Sequence, residues 1–280
     1  MDESLLPQIC QVRAIVMLGV YIILSLSMTV QAKMEGFIVG GSRAVITKYP
    51  YTAFMSASCF VDEDMILNWS CGASILNQKI LLTAGHCVYS CRTGTYITIH
   101  LASVNKMKGK LRSASSYILH EKYEPFSNSY DIAMIKMAQP VKFDSMLSRV
   151  AIIKNPPYEE PGNLAGWGAV DVYNKQQTDL LIEIDQKVWD RKACLRLFIT
   201  MPIGTICASS KNLKSYAAIG DSGSALTVRG YIQIGLVSYK VPSIAANVIV
   251  YTDIGFHYEW IRFNARRLYC SYGIIVRLKK

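Results

Sequence analysis

The sequence predicts an all-β fold closed by one C-terminal helix, and three patterns carry that expectation. Tyr96-Ile97-Thr98-Ile99-His100-Leu101 alternates with the two-residue period of a half-buried strand. Residues 225–228 and 234–239 are apolar runs of strand length. From residue 253 to 266 the period lengthens: Asp253 can cap a helix, and Ile254, Tyr258, Trp260 and Ile261 follow at helical spacing. With 280 residues, 51% of them hydrophobic, the chain can bury a substantial core in one large domain or two small ones, which excludes disorder throughout.

Taken from the start, residues 14–30 form an apolar run with Arg13 before it and Val30-Gln31-Ala32 after it. That is the pattern of a secretory signal peptide over residues 1–32, cleaved after Ala32, and it leaves a short propeptide over residues 33–37. The alternative is a signal anchor, because the run is at the lower edge of spanning length and Asp2 and Glu3 weaken the basic flank. A membrane is a partner only if this segment is retained. The expected location is therefore secreted and extracellular, where disulfides persist.

Charge and cysteine usage narrow the partners. A net charge of +10 favours anionic surfaces in general and selects none of them. No zinc finger, RNA-binding signature or basic helix with heptads occurs, so nucleic acid is not an expected partner. The 8 cysteines include no Cys-x-x-Cys pair, which argues against thioredoxin chemistry and zinc ribbons. Asn68-Trp69-Ser70 is an acceptor for N-glycosylation at Asn68 in a secreted chain.

The chain is organised around Gly220-Asp221-Ser222-Gly223. Glycines let the backbone bend so that amides point at a developing negative charge, which an activated serine needs. Four such residues alone are more often a plain surface turn, so a base and an orienting acid have to be found elsewhere. Of the 4 histidines, His86 lies in Leu82-Thr83-Ala84-Gly85-His86-Cys87, whereas His100 sits in the alternating strand as a solvent-side residue and His120 and His257 lack a catalytic neighbourhood. Asp131-Ile132-Ala133-Met134 supplies an Asp at the head of a strand. A buried Asp there would fix the histidine tautomer that leaves the other ring nitrogen free for the serine proton.

These segments, with Ile38-Val39-Gly40-Gly41 ahead of them and Ala165-Gly166-Trp167-Gly168 between, resemble the trypsin-like (chymotrypsin-fold) serine proteases over residues 38–264. The order His86, Asp131, Ser222 agrees, since α/β-hydrolases run serine, acid, histidine. The resemblance implies two packed six-stranded antiparallel β-barrels and a C-terminal helix packed on the second barrel, while the linker-like stretch Pro156-Pro157 through Pro161-Gly162 reads as a seam between two subdomains. It also implies a protease domain over residues 38–265, leaving 266–280 as a tail with five basic residues and no acidic one. That tail reads as a solvated extension, with a membrane surface or polyanion as the alternative.

The resemblance also assigns roles. Ser222 is the nucleophile, His86 the base, Asp131 its orienting acid, and the amides of Gly220 and Ser222 the oxyanion hole. After a cut before Ile38, the new Ile38 amine would pair with Asp221. Ser238 would lie beside Asp131 and orient substrate backbone, and Tyr216, Ser238, Lys240 and Ile249 would form the specificity pocket. Cys71 would pair with Cys87 and Cys194 with Cys207; Cys59 and Cys91 have no place in the family pattern and are assigned to each other, which, with Cys10 removed in the leader, leaves Cys270 over. The chemistry needs no cofactor and no metal. Its partners are a polypeptide substrate and protein inhibitors.

Departures from the family pattern gather at activation and substrate recognition. Phe37, not Arg or Lys, precedes Ile38, so a trypsin-like activator would not cut there. Tyr216 stands where an Asp would bind a substrate Arg or Lys, and Lys240 and Ile249 replace small glycines of the pocket wall. Ala218 replaces one cysteine of the pocket-bracing disulfide, residues 241–247 lack the other, and Ser224 and Ala225 replace Gly-Pro. The expected function is a secreted serine endopeptidase, a hydrolase made as a zymogen, with a small or apolar P1 preference. The alternative is a non-catalytic protease homologue that uses the scaffold as a binding or regulatory module.

Overall fold

The computed structural model describes residues 37–270 apart from 40, 63–64, 90–94, 172–175, 199, 213–214 and 246. All of these belong to the compact unit Met34–Lys280. The expected leader (1–32), propeptide residues 33–36, Cys91 and the tail beyond 270 lie outside the described residues. No helix among the described residues is long and apolar enough to cross a membrane.

Two short strands, β1 (Phe37–Val39) and β2 (Ser42–Arg43), lead into the first barrel. Its strands are β3 (Thr52–Asp62), β4 (Met65–Ile75), β5 (Ile80–Thr83), β6 (Thr95–Leu101), β7 (Lys110–Leu119) and β8 (Ala133–Met137). They close in the order β3-β4-β5-β8-β7-β6, every pair antiparallel. Closure removes the open edges that would otherwise template aggregation. The two-residue period points Ala53, Met55 and Ala57 of β3 and Ile97, Ile99 and Leu101 of β6 into one apolar core. His100 faces out of that core, as its alternation predicts. It is nonetheless half-buried with its ring 6.0 Å from Phe54, not a solvent-side residue.

The second barrel uses β9 (Gly162–Gly166), then, past the hairpin β10 (Ala169–Asp171) and β11 (Gln176–Gln177), β12 (Ile182–Val188) and β13 (Thr205–Ser209). After β14 (Tyr216–Ala218) come β15 (Ala225–Val228), β16 (Ile232–Tyr239) and β17 (Val248–Asp253). The order β13-β17-β16-β15-β9-β12 returns to β13, which gives a second closed six-stranded barrel with β2 added on β12. The fold is all-β with two antiparallel barrels and a C-terminal helix, as expected from the sequence.

Short helices sit where disulfides pin them. Cys71 of β4 bonds Cys87 in the one-turn helix α1 (His86–Tyr89), and Cys194 in α2 (Arg191–Leu197) bonds Cys207 of β13. In the chain-entropy model a loop of this length contributes about 3 kcal/mol. Cys59 is buried and disulfide-bonded, while its expected partner Cys91 lies outside the described residues. Cys270 is free and exposed.

The C-terminal helix differs from expectation in three ways. It is α3, Tyr258–Cys270, so it starts five residues after Asp253 and takes in residues 266–270. Asp253 instead ends β17, and its carboxylate accepts from the Gly255 and Phe256 amides at 2.9 and 3.2 Å, capping a turn in front of the helix. Nor does the helix rest on the second barrel alone. Its buried Ile261 and Leu268 join Ile80 and Leu82 of β5, Ile118 of β7 and Met134 of β8 in one cluster with Leu236 of β16. Each such side chain contributes about 1.5–3 kcal/mol when fully buried.

Polar bonds tie the two barrels along their seam. Tyr51 Oη and Thr227 Oγ1 lie 2.8 Å apart, and Ser74 Oγ donates to Gln233 Oε1 at 2.8 Å. The tightest approach is at Gly72 of β4: a Cβ there would lie 2.0 Å from Ser224 Oγ and 3.0 Å from Ser224 Cα. Glycine lets β4 touch the turn that holds Ser222, and the Gly72 amide donates to the Ser222 carbonyl at 2.7 Å.

Candidate active site

β5 ends at Thr83 and delivers His86 as the first residue of α1. On the neighbouring strand, where Ala133 of β8 pairs with Thr83, Asp131 arrives just before β8 and is 1% exposed. The His86 backbone amide donates to Asp131 Oδ1 at 2.8 Å, and His86 Nδ1 lies 2.8 Å from Oδ2. An ionised carboxylate only accepts, so Nδ1 carries the proton and the Nε2 lone pair is left available. Ser238 Oγ donates to the same Oδ2 at 2.5 Å, and Thr252 Oγ1 donates to the Asp131 carbonyl at 2.7 Å. The second barrel thus holds the acid of the first.

The electrostatics follow from this packing. Burial pushes the His86 imidazole down, but the charge and hydrogen bond of Asp131 more than reverse it, leaving the ring above the ordinary histidine range. Burial pushes Asp131 up, and the His86 charge with bonds from His86 and Ser238 bring it below the ordinary carboxylate range. Tyr130, immediately before Asp131, has φ of 55°, a left-handed conformation that is strained for a tyrosine. It is wedged against the His120 ring at 4.8 Å and the His257 ring at 5.7 Å. His120 stacks on Trp260 at 4.9 Å, and burial pushes His257 down to about 3, so these two neutral histidines are packing residues behind the Asp131 loop.

Ser222 lies in the turn between β14 and β15, half-buried. Gly220 with φ of 103° and Gly223 with φ of 80° shape that turn, and a Cβ on Gly223 would lie 2.4 Å from the Gly72 carbonyl. The Gly223 amide donates to Val237 O and the Ser224 amide to Asp221 O, both at 2.8 Å. Among the described residues no backbone bond takes up the amides of Gly220 and Ser222. The Ser222 carbonyl lies 3.8 Å from the Cys87 sulfur, next in sequence to His86. That sulfur is in a disulfide and has no proton to donate, so the contact marks proximity only. Among the described residues no hydrogen bond joins the Ser222 hydroxyl to His86.

Asp221 is fully buried and accepts from the Gly168 amide at 2.9 Å. A Cβ on Gly166 would lie 2.0 Å from Asp221 Oδ1, which gives the Gly-Trp-Gly segment its physical reason here. Burial pushes Asp221 up, while the Gly168 amide and the Lys240 charge pull it back only in part. Ile38 pairs through its backbone with Ala217 and Val39 with Tyr216. In this uncut chain the Ile38 nitrogen is a peptide nitrogen, so no terminal amine reaches Asp221.

The remaining expected pocket residues lie in or beside β14, β16 and β17. Ser238 is committed to Asp131, Lys240 is 2% exposed just after β16, and Ile249 is buried with Ala217 and Val237 in the second barrel's apolar cluster. Tyr216 opens β14, and its side chain lies outside the described residues. A cavity of about 530 Å³ lies elsewhere, lined by Trp189, Met201, Ile203 and Phe256. Asn68 is exposed on β4, its side-chain oxygen accepting from Ser58 Oγ at 2.7 Å. Cys71, His86 and Cys87 lie within 4.8 Å of one another, but the two sulfurs are bonded together and offer no thiolate to a metal. Sequence reasoning missed Thr252 and Gly72. A threonine at a strand end and a glycine after a cysteine carry no signal until the barrels are docked.

The family model described as Trypsin matches residues 38–261. Trypsin of Sarcophaga bullata is 28% identical over 254 residues, covering 87% of this chain and 95% of that protein. Duodenase-1 of Bos taurus is 28% identical across 83% of this chain and 90% of its own length, and chymotrypsin of Phaedon cochleariae is 25% identical across 80% and 81%. Among solved structures, a scabies mite inactivated protease paralogue superposes with a TM-score of 0.71 at 24% identity, over 82% of this chain and 97% of its own. A structure described as HL collagenase gives 0.71 at 21% identity, over 82% and 99%. At these identities the two structures speak to the fold alone.

Proposed function

We propose, because this chain belongs to the trypsin family, that it is a secreted serine endopeptidase of non-tryptic specificity working through Ser222, His86 and Asp131. Ser222 Oγ attacks a peptide carbonyl while His86 Nε2 takes its proton. The amides of Gly220 and Ser222 hold the resulting oxyanion, and neither is spent on another described backbone partner. His86 then gives the proton to the leaving amine, and water repeats the sequence in reverse. Asp131 stays ionised and stabilises the imidazolium.

The observation that carries this reading is the two-point hold of Asp131 on His86, reinforced by Ser238. A binding module has no need of an orienting carboxylate buried to 1% exposure. The missing Ser222 to His86 bond is in keeping with unliganded sites, where such bonds tighten on substrate. Secretion rests on the leader pattern, and a glycan at Asn68 on its exposure. Processing at the propeptide is expected to yield Ile38 as the terminus, its amine pairing with Asp221.

The second reading, a non-catalytic homologue, is favoured by one observation: Lys240, an expected pocket residue, is buried with its charge spent on Asp221 and not on a substrate. A serine-directed phosphonate probe separates the two. The protein with its terminus at Ile38 should be labelled, and Ser222→Ala should not. Silence of correctly cut parent protein would leave the binding module as the surviving reading.

A further inference from the structure

Among the described residues, one cation is fully buried: Lys240, 2% exposed. Lysine is almost never buried to that degree unless paired, because desolvating an ammonium costs more than packing its stem returns. The described carboxylates buried as deeply are Asp131 and Asp221. Asp131 is committed to His86 and Ser238. Asp221 is the carboxylate whose charge Lys240 offsets, and it sits one residue before the nucleophile.

The backbone explains how these two meet. The Gly223 amide donates to Val237 O at 2.8 Å, and the Val237 amide donates to Ser224 O at 3.0 Å. These bonds lay the 221–224 turn along β16, three residues ahead of Lys240. Meanwhile β1 is already in register on β14 in a chain whose Phe37 to Ile38 bond is intact, and Asp221 already accepts from Gly168.

We propose that Lys240 is a positioning residue whose ammonium is the resident counter-charge of Asp221, holding the Ser222 turn in working shape before any cut at Ile38. This rests on the protease reading above and adds a regulation to it: the uncut chain has activity of its own. The hold is incomplete, since burial still outweighs the groups that stabilise the Asp221 carboxylate. A second cation, the Ile38 amine, would therefore strengthen it, and the cut form should be faster.

The test uses the secreted full chain and the phosphonate probe. The uncut form has its intact Phe37 to Ile38 bond verified; the cut form is made from Phe37→Arg with immobilised trypsin and its Ile38 terminus verified. Uncut parent should label measurably, more slowly than cut parent. Uncut Lys240→Met should lose at least about tenfold in labelling rate, and Lys240→Arg should stay within a few-fold of parent. Cutting Lys240→Met should restore it, because the Ile38 amine supplies the missing charge; a lost packing contact would not be restored by an amine.

Uncut parent that is silent while cut parent labels would overturn the proposal and leave the protease reading standing. So would uncut Lys240→Met that labels like parent. Silence of cut parent would remove both. Should Lys240→Met fail to fold, the paired variant Lys240→Met with Asp221→Asn, which removes both charges together, must fold where the single one does not; its failure would overturn the pairing.

Discussion

The Asp131 carboxylate grips His86 at two points, the backbone nitrogen and Nδ1, each at 2.8 Å. The first bond fixes where the residue sits, and the second fixes how its ring turns. Asp131→Asn keeps the shape but presents an amide that can donate to Nδ1 and so stabilise the wrong tautomer. The expected outcome is a fall of about 10⁴-fold in kcat with little change in KM. Steady-state kinetics on a cleavable peptide check this, and a matching rise in KM would point to lost substrate binding instead.

The same pair sets the acid limb of the pH profile. The base must be neutral, and Asp131 raises the His86 pKa, so kcat/KM should fall with acid through a midpoint above the ordinary histidine value of about 6.5. The sign for stability is separate. A raised histidine stabilises the fold below its unfolded pKa and loses that contribution as pH rises through its folded one; a depressed aspartate contributes above its unfolded pKa of about 3.9 and loses it in acid. His86→Ala should therefore cost most stability between roughly pH 4 and 6.5. Urea denaturation at a series of pH values measures it, and a cost that grows above pH 8 would contradict the assigned directions.

Gly72 is where packing of the two barrels bears on Ser222, the proposed nucleophile. A methyl there would lie 2.0 Å from Ser224 Oγ, a buried hydroxyl with no described partner. Gly72→Ala should destabilise by about 1–3 kcal/mol through overpacking and displace Ser222, whose carbonyl the Gly72 amide holds. Adding Ser224→Gly removes the hydroxyl in the way and should recover part of the loss. A double-mutant cycle in urea measures the coupling. Strict additivity would mean the two residues do not meet.

Much of this architecture was legible because the residues of the candidate site fall in short runs. Leu82 to Cys87, Asp131 to Met134 and Gly220 to Gly223 each keep His86, Asp131 or Ser222 beside small residues that allow close approach. The seat of the helix was not legible, since Ile261 and Leu268 make an apolar stripe that fits any apolar surface. The clue lay in another element: Ile80-Leu81-Leu82 is apolar at every position, as a strand covered on both faces must be. Leu81 fills the first barrel while Ile80 and Leu82 receive the helix. The start of the helix was misread because Asp253 caps equally well a turn or a helix, and only the path of β17 decides which.

Specificity is the reading that most needs a direct measurement. Of the residues expected at the P1 site, Lys240 is 2% exposed with its charge offset against Asp221, and Ile249 is buried with Ala217 and Val237. A substrate lysine or arginine would find Tyr216 in place of a carboxylate and Asp221 already offset by Lys240, whereas a small apolar side chain needs little room and brings no charge. In a peptide library varied at P1, kcat/KM for small apolar residues should exceed that for Arg and Lys by at least about 100-fold. Efficient cleavage after Arg or Lys would mean that another carboxylate serves the P1 site and would overturn the assignment of Tyr216 to its floor.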